Sequence, residues 1–436
     1  MRVLFTSIEG NHFHQMVPLA WALRTAGHEV QAACNGQLVD TVTHTGLTAV
    51  PIESPTLWEQ LDDFQKDAIS LFNEIGTSKQ DPSKATWEDH LAYENMVVPA
   101  LYQPLNNDAQ IDQLVEVARS WQPDLVIWES FSIAGAVVAA AVGAAHARLV
   151  SGPELALQMV TRGHFARHRD QQPQPLREDP TAEWIDWTLE RLGSDRRFDE
   201  TMLTGQWTID TRPGSLRQEL DLPTVPMRYV PYNGRCVVPK WLYEPAKRRR
   251  VCITLGTSIT SEESQRFQLG DTLTALFQSL AGLDVEIIAA LDPAQRDALP
   301  RLPDNIRTTD FVPLNELAPS CSVIVHHAGY QTKATADLHG VPQVVIVGYE
   351  WVSEDMGEEY EKSGTTLAVS ARGLTARTLR EKILRLLDEP SYTERARDLG
   401  KEIRAMPTPN DVVPVLERMT REHRPGARPG APARPR

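Results

Sequence analysis

The sequence predicts an α/β protein in two halves, the first opening with a βαβ unit on a parallel sheet and the second repeating an α/β pattern. Three observations predict it: a strand, loop, helix, strand order in the first 35 residues, the return of that order after Val251, and a proline-rich, basic stretch between them. With 436 residues, 41% of them hydrophobic, the chain has material for two or three cores.

Val3–Phe5 reads as a short buried strand and Ser7–His14 as a polar loop. The helix that follows repeats Met16, Leu19, Ala20 and Leu23 at three- and four-residue spacing, and Gly27 suits its left-handed end. His28–Ala33 is the next strand, completing a βαβ unit whose ligand edge is the carboxyl end, in the loop Ser7–His14. Residues 54–110 scatter Trp58, Phe64, Phe72, Trp87, Tyr93 and Tyr102 among acidic and proline residues, which fits loop-rich packing and an apolar ligand pocket equally. Leu125–Trp128 is a buried strand ending in Glu129. His164 and His168 have the i, i+4 spacing of a metal pair, but no third ligand stands nearby, so they read as a solvated helix face.

In the second half, Val251–Gly256 reads as a strand, Phe267–Leu280 as a helix and Val285–Ala290 as a buried strand, with apolar runs at Val323–Val325 and Val341–Val347. The expected organisation is an N-terminal domain over 1–211, a linker over 212–250, a C-terminal domain over 251–408 and a helix over 409–424. Lys247–Arg250 reads as a solvated face of the linker. The tail 425–436, made of Pro, Gly, Ala and Arg, is expected to be disordered.

Composition narrows the function. The net charge is −14, a poor start for nucleic-acid binding through phosphate contacts. Cys34, Cys236, Cys252 and Cys321 form no CxxC pair, which argues against a disulfide framework or zinc knuckle and suits a cytoplasmic protein. No apolar run reaches the length of a membrane span. HExxH, GxSxG, the P-loop, GxGxxG and Asp-x-Asp are all missing, so zinc protease, lipase, NTPase and simple NAD-enzyme readings lose their support.

Two places can carry chemistry. His12 follows the first strand, and Glu129 ends another strand that can share its sheet edge. A carboxylate on one imidazole nitrogen orients the ring and leaves the other nitrogen to take a proton from a hydroxyl. His14 is a competing base. In VIVHHAGYQTKATADLHG a strand ends at His326 and His327, crosses a short loop holding Gly329 and enters a helix near Thr332 that Gly340 closes. Unpaired amides at such a helix start attract phosphate, although an ordinary strand-to-helix turn reads the same way.

The run HFHQMVPLAWALRTAGHEV resembles the N-terminal signature of actinomycete natural-product glycosyltransferases, and FVPLNELAPSCSVIVHHAGYQTKATADLHGVPQVVI resembles their C-terminal donor-site signature. PDLVIWES, GQWTID and MRYVPYNG are similar to the subgroup of macrolide deoxyaminosugar transferases. The resemblance runs from Met1 to about residue 420. It implies two facing Rossmann-like domains of the GT-B type, the first binding a hydrophobic aglycone and the second a dTDP-deoxysugar as co-substrate, with no cofactor and no metal. It further implies an inverting transfer of a deoxysugar, a deoxyamino sugar by subgroup, to a hydroxyl of a polyketide aglycone in antibiotic biosynthesis. His12 matches the family's base and Glu129 its orienting acid; His326 matches the diphosphate contact, with Gly329, Gln331 and Thr332 beside it. Thr257 and Ser258 match a second phosphate-side loop, Val312 the base-binding segment, and Ser353 a later donor loop. Relatives of this subgroup also imply an auxiliary activator resembling a cytochrome monooxygenase.

The chain departs from the family pattern at Ala328, Tyr330 and Gln331, where small residues are usual, and at Val352, where an Asp commonly holds sugar hydroxyls. These departures keep a second reading open, a non-catalytic homologue that binds and activates a partner transferase. Retention of His12 and Glu129 favours the enzyme. A sugar-nucleotide epimerase of the same fold would not need the aglycone-subgroup segments.

Overall fold

The computed structural model describes residues 1–53, 84–150, 152, 154–217, 220–255, 269–291, 293–297, 299, 301–348 and 355–424, with backbone alone at 154–160, 269–270, 294–295 and 355. The chain divides into two compact units: Met1–Thr211, Gln218–Met227 and Pro407–Arg436 form the first, and Arg212–Arg217 with Arg228–Met406 form the second.

Unit 1 is built on seven parallel strands: β1 (Arg2–Thr6), β2 (Glu29–Asn35), β3 (Thr48–Ile52), β4 (Leu125–Glu129), β5 (Ala145–Val150), β6 (Trp207–Asp210) and β7 (Thr224–Pro226). Their order is β3-β2-β1-β4-β5-β6-β7. β4 and β5 are buried along their whole length, as expected of strands covered on both faces. Helices α1 (Gly10–Thr25), α2 (Val39–His44), α3 (Trp87–Val97), α4 (Asp108–Trp121), α5 (Ala134–Val142), α6 (Glu154–Gln171) and α7 (Pro180–Arg191) belong to this unit. The sheet packs closely beneath α5, because a Cβ on Gly135 would stand 2.6 Å from both Thr6 Oγ1 and Trp128 Cβ. Strand order reverses between β1 and β4, and the crevice at such a reversal is where open parallel sheets place their ligands.

Unit 2 repeats the plan with six parallel strands: β8 (Arg249–Thr254), β9 (Val285–Ala290), β10 (Ile306–Thr309), β11 (Cys321–His326), β12 (Gln343–Val347) and β13 (Thr366–Ser370), in the order β10-β9-β8-β11-β12-β13. Its helices are α8 (Leu269–Leu280), α9 (Tyr330–His339), α10 (Asp355–Glu361), α11 (Ala376–Asp388) and α12 (Pro390–Ala405). Val251, Ile253, Ile287, Val323, Val325, Val344 and Ile346 form the centre of its core. The last helix, α13 (Pro409–His423), returns to unit 1, where its Glu417 bonds His28 at 3.0 Å and its His423 ring lies against Trp207.

The sequence misplaces several boundaries. The loop after β1 is only Ser7–Glu9, because Glu9 caps a helix that starts at Gly10. The proline-rich stretch is no continuous linker: Thr224–Pro226 pairs with β6, extending the first sheet. Arg249 and Arg250 open β8, and Arg250, almost fully buried, holds Glu286 at 2.9 Å, so Lys247, Arg248 and Arg249 keep the solvated character assigned to the run and Arg250 does not. The tail 425–436 lies outside the described residues. So do Trp58, Phe64 and Phe72, while Trp87 stacks on Phe165 and Tyr102 on Trp184, which is packing.

Candidate active site

The extended backbone of Glu9 ends in a carboxylate that accepts the His12 backbone N–H at 3.1 Å, which satisfies a first-turn amide of α1 and places His12 in that turn rather than in a loop. Across the sheet reversal, Glu129 closes β4 with its side chain fully buried. Glu129 Oε2 lies 3.0 Å from His12 Nδ1 and accepts the Phe131 N–H at 2.9 Å; Oε1 accepts the Ile8 N–H at 3.4 Å. A carboxylate facing these donors is held as the acceptor, so the imidazole donates from Nδ1 and Nε2 is its basic nitrogen. The His12 side chain keeps 24% of its surface, which leaves the ring open to a reactant. Phe131 stacks on it with ring centroids 5.5 Å apart and 15° between planes.

Of the two competing histidines, it is His12 that bonds the buried carboxylate. His14 is half-buried, and burial holds its pKa below the ordinary imidazole value against the opposing pull of Glu9. Glu9 and Phe131 went unrecognised in the sequence. An aromatic two residues after the strand-end acid, in WESF, is the only local signal that could have marked Phe131.

In unit 2 the strand-to-helix turn is as expected in outline, with Gly340 closing α9 in the left-handed region at φ 69°. The helix starts at Tyr330, two residues before the expected point, so Gln331 and Thr332 lie in its first turn. The Gln331 carbonyl accepts from Thr335 Oγ1 at 2.7 Å and from Tyr229 at 3.3 Å. A Cβ on Gly329 would stand 2.7 Å from His327 Nε2, so a larger residue there would have to push the His327 ring aside. Ala328 is held at φ 64°, in the left-handed region. Val312 is buried beside Cys252, Ile288 and Leu317. Thr257, Ser258 and Ser353 lie outside the described residues.

The assignment of His326 as the diphosphate contact needs correction. Its ring is fully enclosed, and its Nε2 bonds Gln343 Oε1 at 2.9 Å. Gln343 in turn donates to Asp337 at 2.6 Å, and Asp337 holds the buried Lys333 at 2.7 Å. Because the Gln343 amide nitrogen is spent on Asp337, its oxygen faces His326, which therefore carries its proton on Nε2. Burial lowers the His326 pKa to about 3, so the ring stays neutral inside this chain. The histidine at the strand mouth is His327, 9% exposed, its pKa lowered to about 4 by burial.

The pair His164 and His168 is not a solvated face. Both rings pack on the buried His90, at centroid distances of 6.0 Å and 5.2 Å. Among the described residues no group of three or more His, Cys, Asp or Glu is placed to hold a metal ion. The four cysteines are free thiols, and no helix among the described residues is long and apolar enough to cross a membrane.

Residues 21–256 match the family model described as erythromycin biosynthesis protein CIII-like, N-terminal domain, and residues 274–419 match its C-terminal counterpart. The chain belongs to this glycosyltransferase family. The transferase is 43% identical to the 10-deoxymethynolide desosaminyltransferase of Streptomyces venezuelae, over the full length of both chains. It is 41% identical to the aclacinomycin-T 2-deoxy-L-fucose transferase of Streptomyces galilaeus, over 97% of each. Among solved structures, the glycosyltransferase VinC in complex with dTDP superposes with a TM-score of 0.85 at 34% identity, over 97% of this chain and 100% of that one. The two parallel sheets flanked by helices are thus the GT-B fold, and the enzyme is of the hexosyltransferase type.

Proposed function

We propose that the enzyme transfers a deoxysugar, of deoxyamino type, from a dTDP-sugar to a hydroxyl of a polyketide aglycone, with inversion at the anomeric carbon. The observation that carries this reading is the 3.0 Å bond between His12 Nδ1 and the buried Glu129 carboxylate, on a side chain that keeps 24% of its surface exposed. The acceptor oxygen forms its bond to the anomeric carbon as the bond from that carbon to the dTDP oxygen breaks, the electron pair leaving with dTDP. The hydroxyl proton passes to His12 Nε2, and Glu129 stabilises the imidazolium that results. On the donor side, His327, the amides at the start of α9 and Thr332 are the groups we assign to the diphosphate, where donors offset the charge that grows on the leaving group.

Two relatives support the substrate class. One is named as a 10-deoxymethynolide desosaminyltransferase and the other as an aclacinomycin-T 2-deoxy-L-fucose transferase. Their near-equal identities, 43% and 41%, support polyketide aglycones as a class rather than either acceptor. The dTDP in the VinC complex supports the donor nucleotide. The assembled His12–Glu129 pair weighs against a purely activating homologue. We further propose a cytoplasmic location, on the four free thiols, and an auxiliary activator resembling a cytochrome monooxygenase; co-expression with no gain in turnover would remove that partner.

The deciding assay follows product from a dTDP-deoxyaminosugar and a panel of polyketide aglycones. His12→Ala is expected to lower kcat by roughly 10²- to 10⁴-fold. Unchanged turnover in that variant overturns the base assignment. Calorimetric titration should show dTDP binding in preference to UDP, weakened in His327→Ala and retained in His12→Ala.

A further inference from the structure

We propose that Asn106 is the positioning residue of the His12–Glu129 pair, an inference that rests on the functional reading above. The chain before it prepares it. Pro99 and Pro104 lack backbone N–H groups, and the helical path between them widens into a π-type turn over Val98–Tyr102. The chain then stops at Asn106, with φ −134° and ψ 59°, before Asn107 caps α4. π-type turns recur at functional sites, and here the turn delivers one buried amide, 1% exposed, to the loop that follows β4.

All three polar bonds of that amide are satisfied. Asn106 Nδ2 donates to the Phe131 carbonyl at 2.9 Å and to the Tyr102 carbonyl at 2.9 Å, and Oδ1 accepts the Ala134 N–H at 2.8 Å. It therefore grips the residue 131–134 segment at both ends, and the amide orientation follows from the pattern itself, since only nitrogen can serve two carbonyls. The segment so gripped is the one that acts on the catalytic pair. The Phe131 N–H sets Glu129 Oε2, the atom that bonds His12, and the Phe131 ring lies flat against the imidazole. Asn106 touches neither His12 nor Glu129 in these bonds; it fixes Phe131, which touches both. With the amide removed, the Phe131 carbonyl and the Ala134 N–H lose their buried partner, and the loop must move to satisfy them.

The test compares Asn106→Ala, Asn106→Ser and a matched core variant, Leu189→Ala, in the full-length enzyme. A serine hydroxyl can serve the Tyr102 carbonyl one turn back but cannot span to Phe131, so Asn106→Ser keeps the local turn and carries the test where Asn106→Ala fails to fold. Glu129, Glu9 and His14 remain in place throughout. Two readouts are taken: the His12 imidazole titration by NMR without substrates, and kcat with KM for each substrate. The expected result is a downward His12 pKa shift of roughly one unit, as the carboxylate contact loosens. Alongside it, kcat should drop about 10- to 100-fold with the donor KM unchanged, the scale of a misplaced catalytic group. Leu189→Ala should lower Tm and leave both readouts alone. A wild-type His12 titration and wild-type kcat in the Asn106 variants overturn the proposal and leave Asn106 a purely structural amide. Since the titration is read without substrates, it stands even where His12→Ala keeps full turnover, an outcome that sinks the base assignment alone.

Discussion

Ala328 sits at φ 64° in the turn between β11 and α9, a region that costs an L-residue about 1–2 kcal/mol. Its methyl is buried and its carbonyl accepts from Tyr360 at 3.4 Å, so the surroundings hold the strained backbone in place. Ala328→Gly should therefore raise stability by roughly 1 kcal/mol, read as a higher urea midpoint at unchanged slope. A lower midpoint would mean that the packing of the methyl outweighs the strain. At the same scale, Glu129→Gln retains shape but cannot stabilise an imidazolium. It should lower kcat by one to two orders of magnitude and move the acid limb of the kcat/KM profile to lower pH, whereas an unmoved limb would separate Glu129 from proton transfer.

Buried histidines end or begin strands in both units, and they tie element stability to pH. Burial lowers His146 at the start of β5 to about 4, His326 at the end of β11 to about 3 and His327 just beyond to about 4, from an ordinary 6.5. In the unfolded chain these rings take up protons as pH falls below about 6.5, while in the folded chain they stay neutral. Their contribution is thus full above pH 6.5 and is lost as pH falls from there towards 4, at up to about 1.4 kcal/mol per ring per pH unit. The urea midpoint should drop between pH 7 and pH 5, and His146→Phe should shallow the drop; a flat profile would show that these rings are not the acid-sensitive groups. Element positions were largely readable from the sequence, since Val285–Ala290 and Leu125–Glu129 are apolar runs that a two-sided parallel sheet requires. The start of α1 was not. Asn11, His12 and His14 look like loop residues, and it is the Glu9 carboxylate, set against the His12 amide, that carries the helix back to Gly10.

At the scale of the molecule, the C-terminal helix α13 belongs to unit 1 although unit 2 precedes it in the chain. Val412, Val413 and Leu416 are buried, and each such side chain contributes about 1.5–3 kcal/mol. A chain ending at Met406 should lose several kcal/mol from unit 1 and little from unit 2, which hydrogen exchange resolved by segment can read. Equal loss of protection in both would mean that the two units unfold as one.

The sequence by itself determined the two parallel sheets and the family and put forward His12, His14 and Glu129 as candidates, because apolar runs and strand-end polar residues are local patterns and the motifs span the whole chain; only the structure shows that His12 is the one that meets Glu129. Tertiary structure alone decided which histidine of 326 and 327 faces inward, since two adjacent residues at a strand end point to opposite sides and only the positions of Gln343 and Asp337 distinguish the sides. It also decided that Thr224–Pro226 joins the first sheet and that α13 returns to it. Both depend on contacts between segments far apart in the chain, and no short window of sequence carries them.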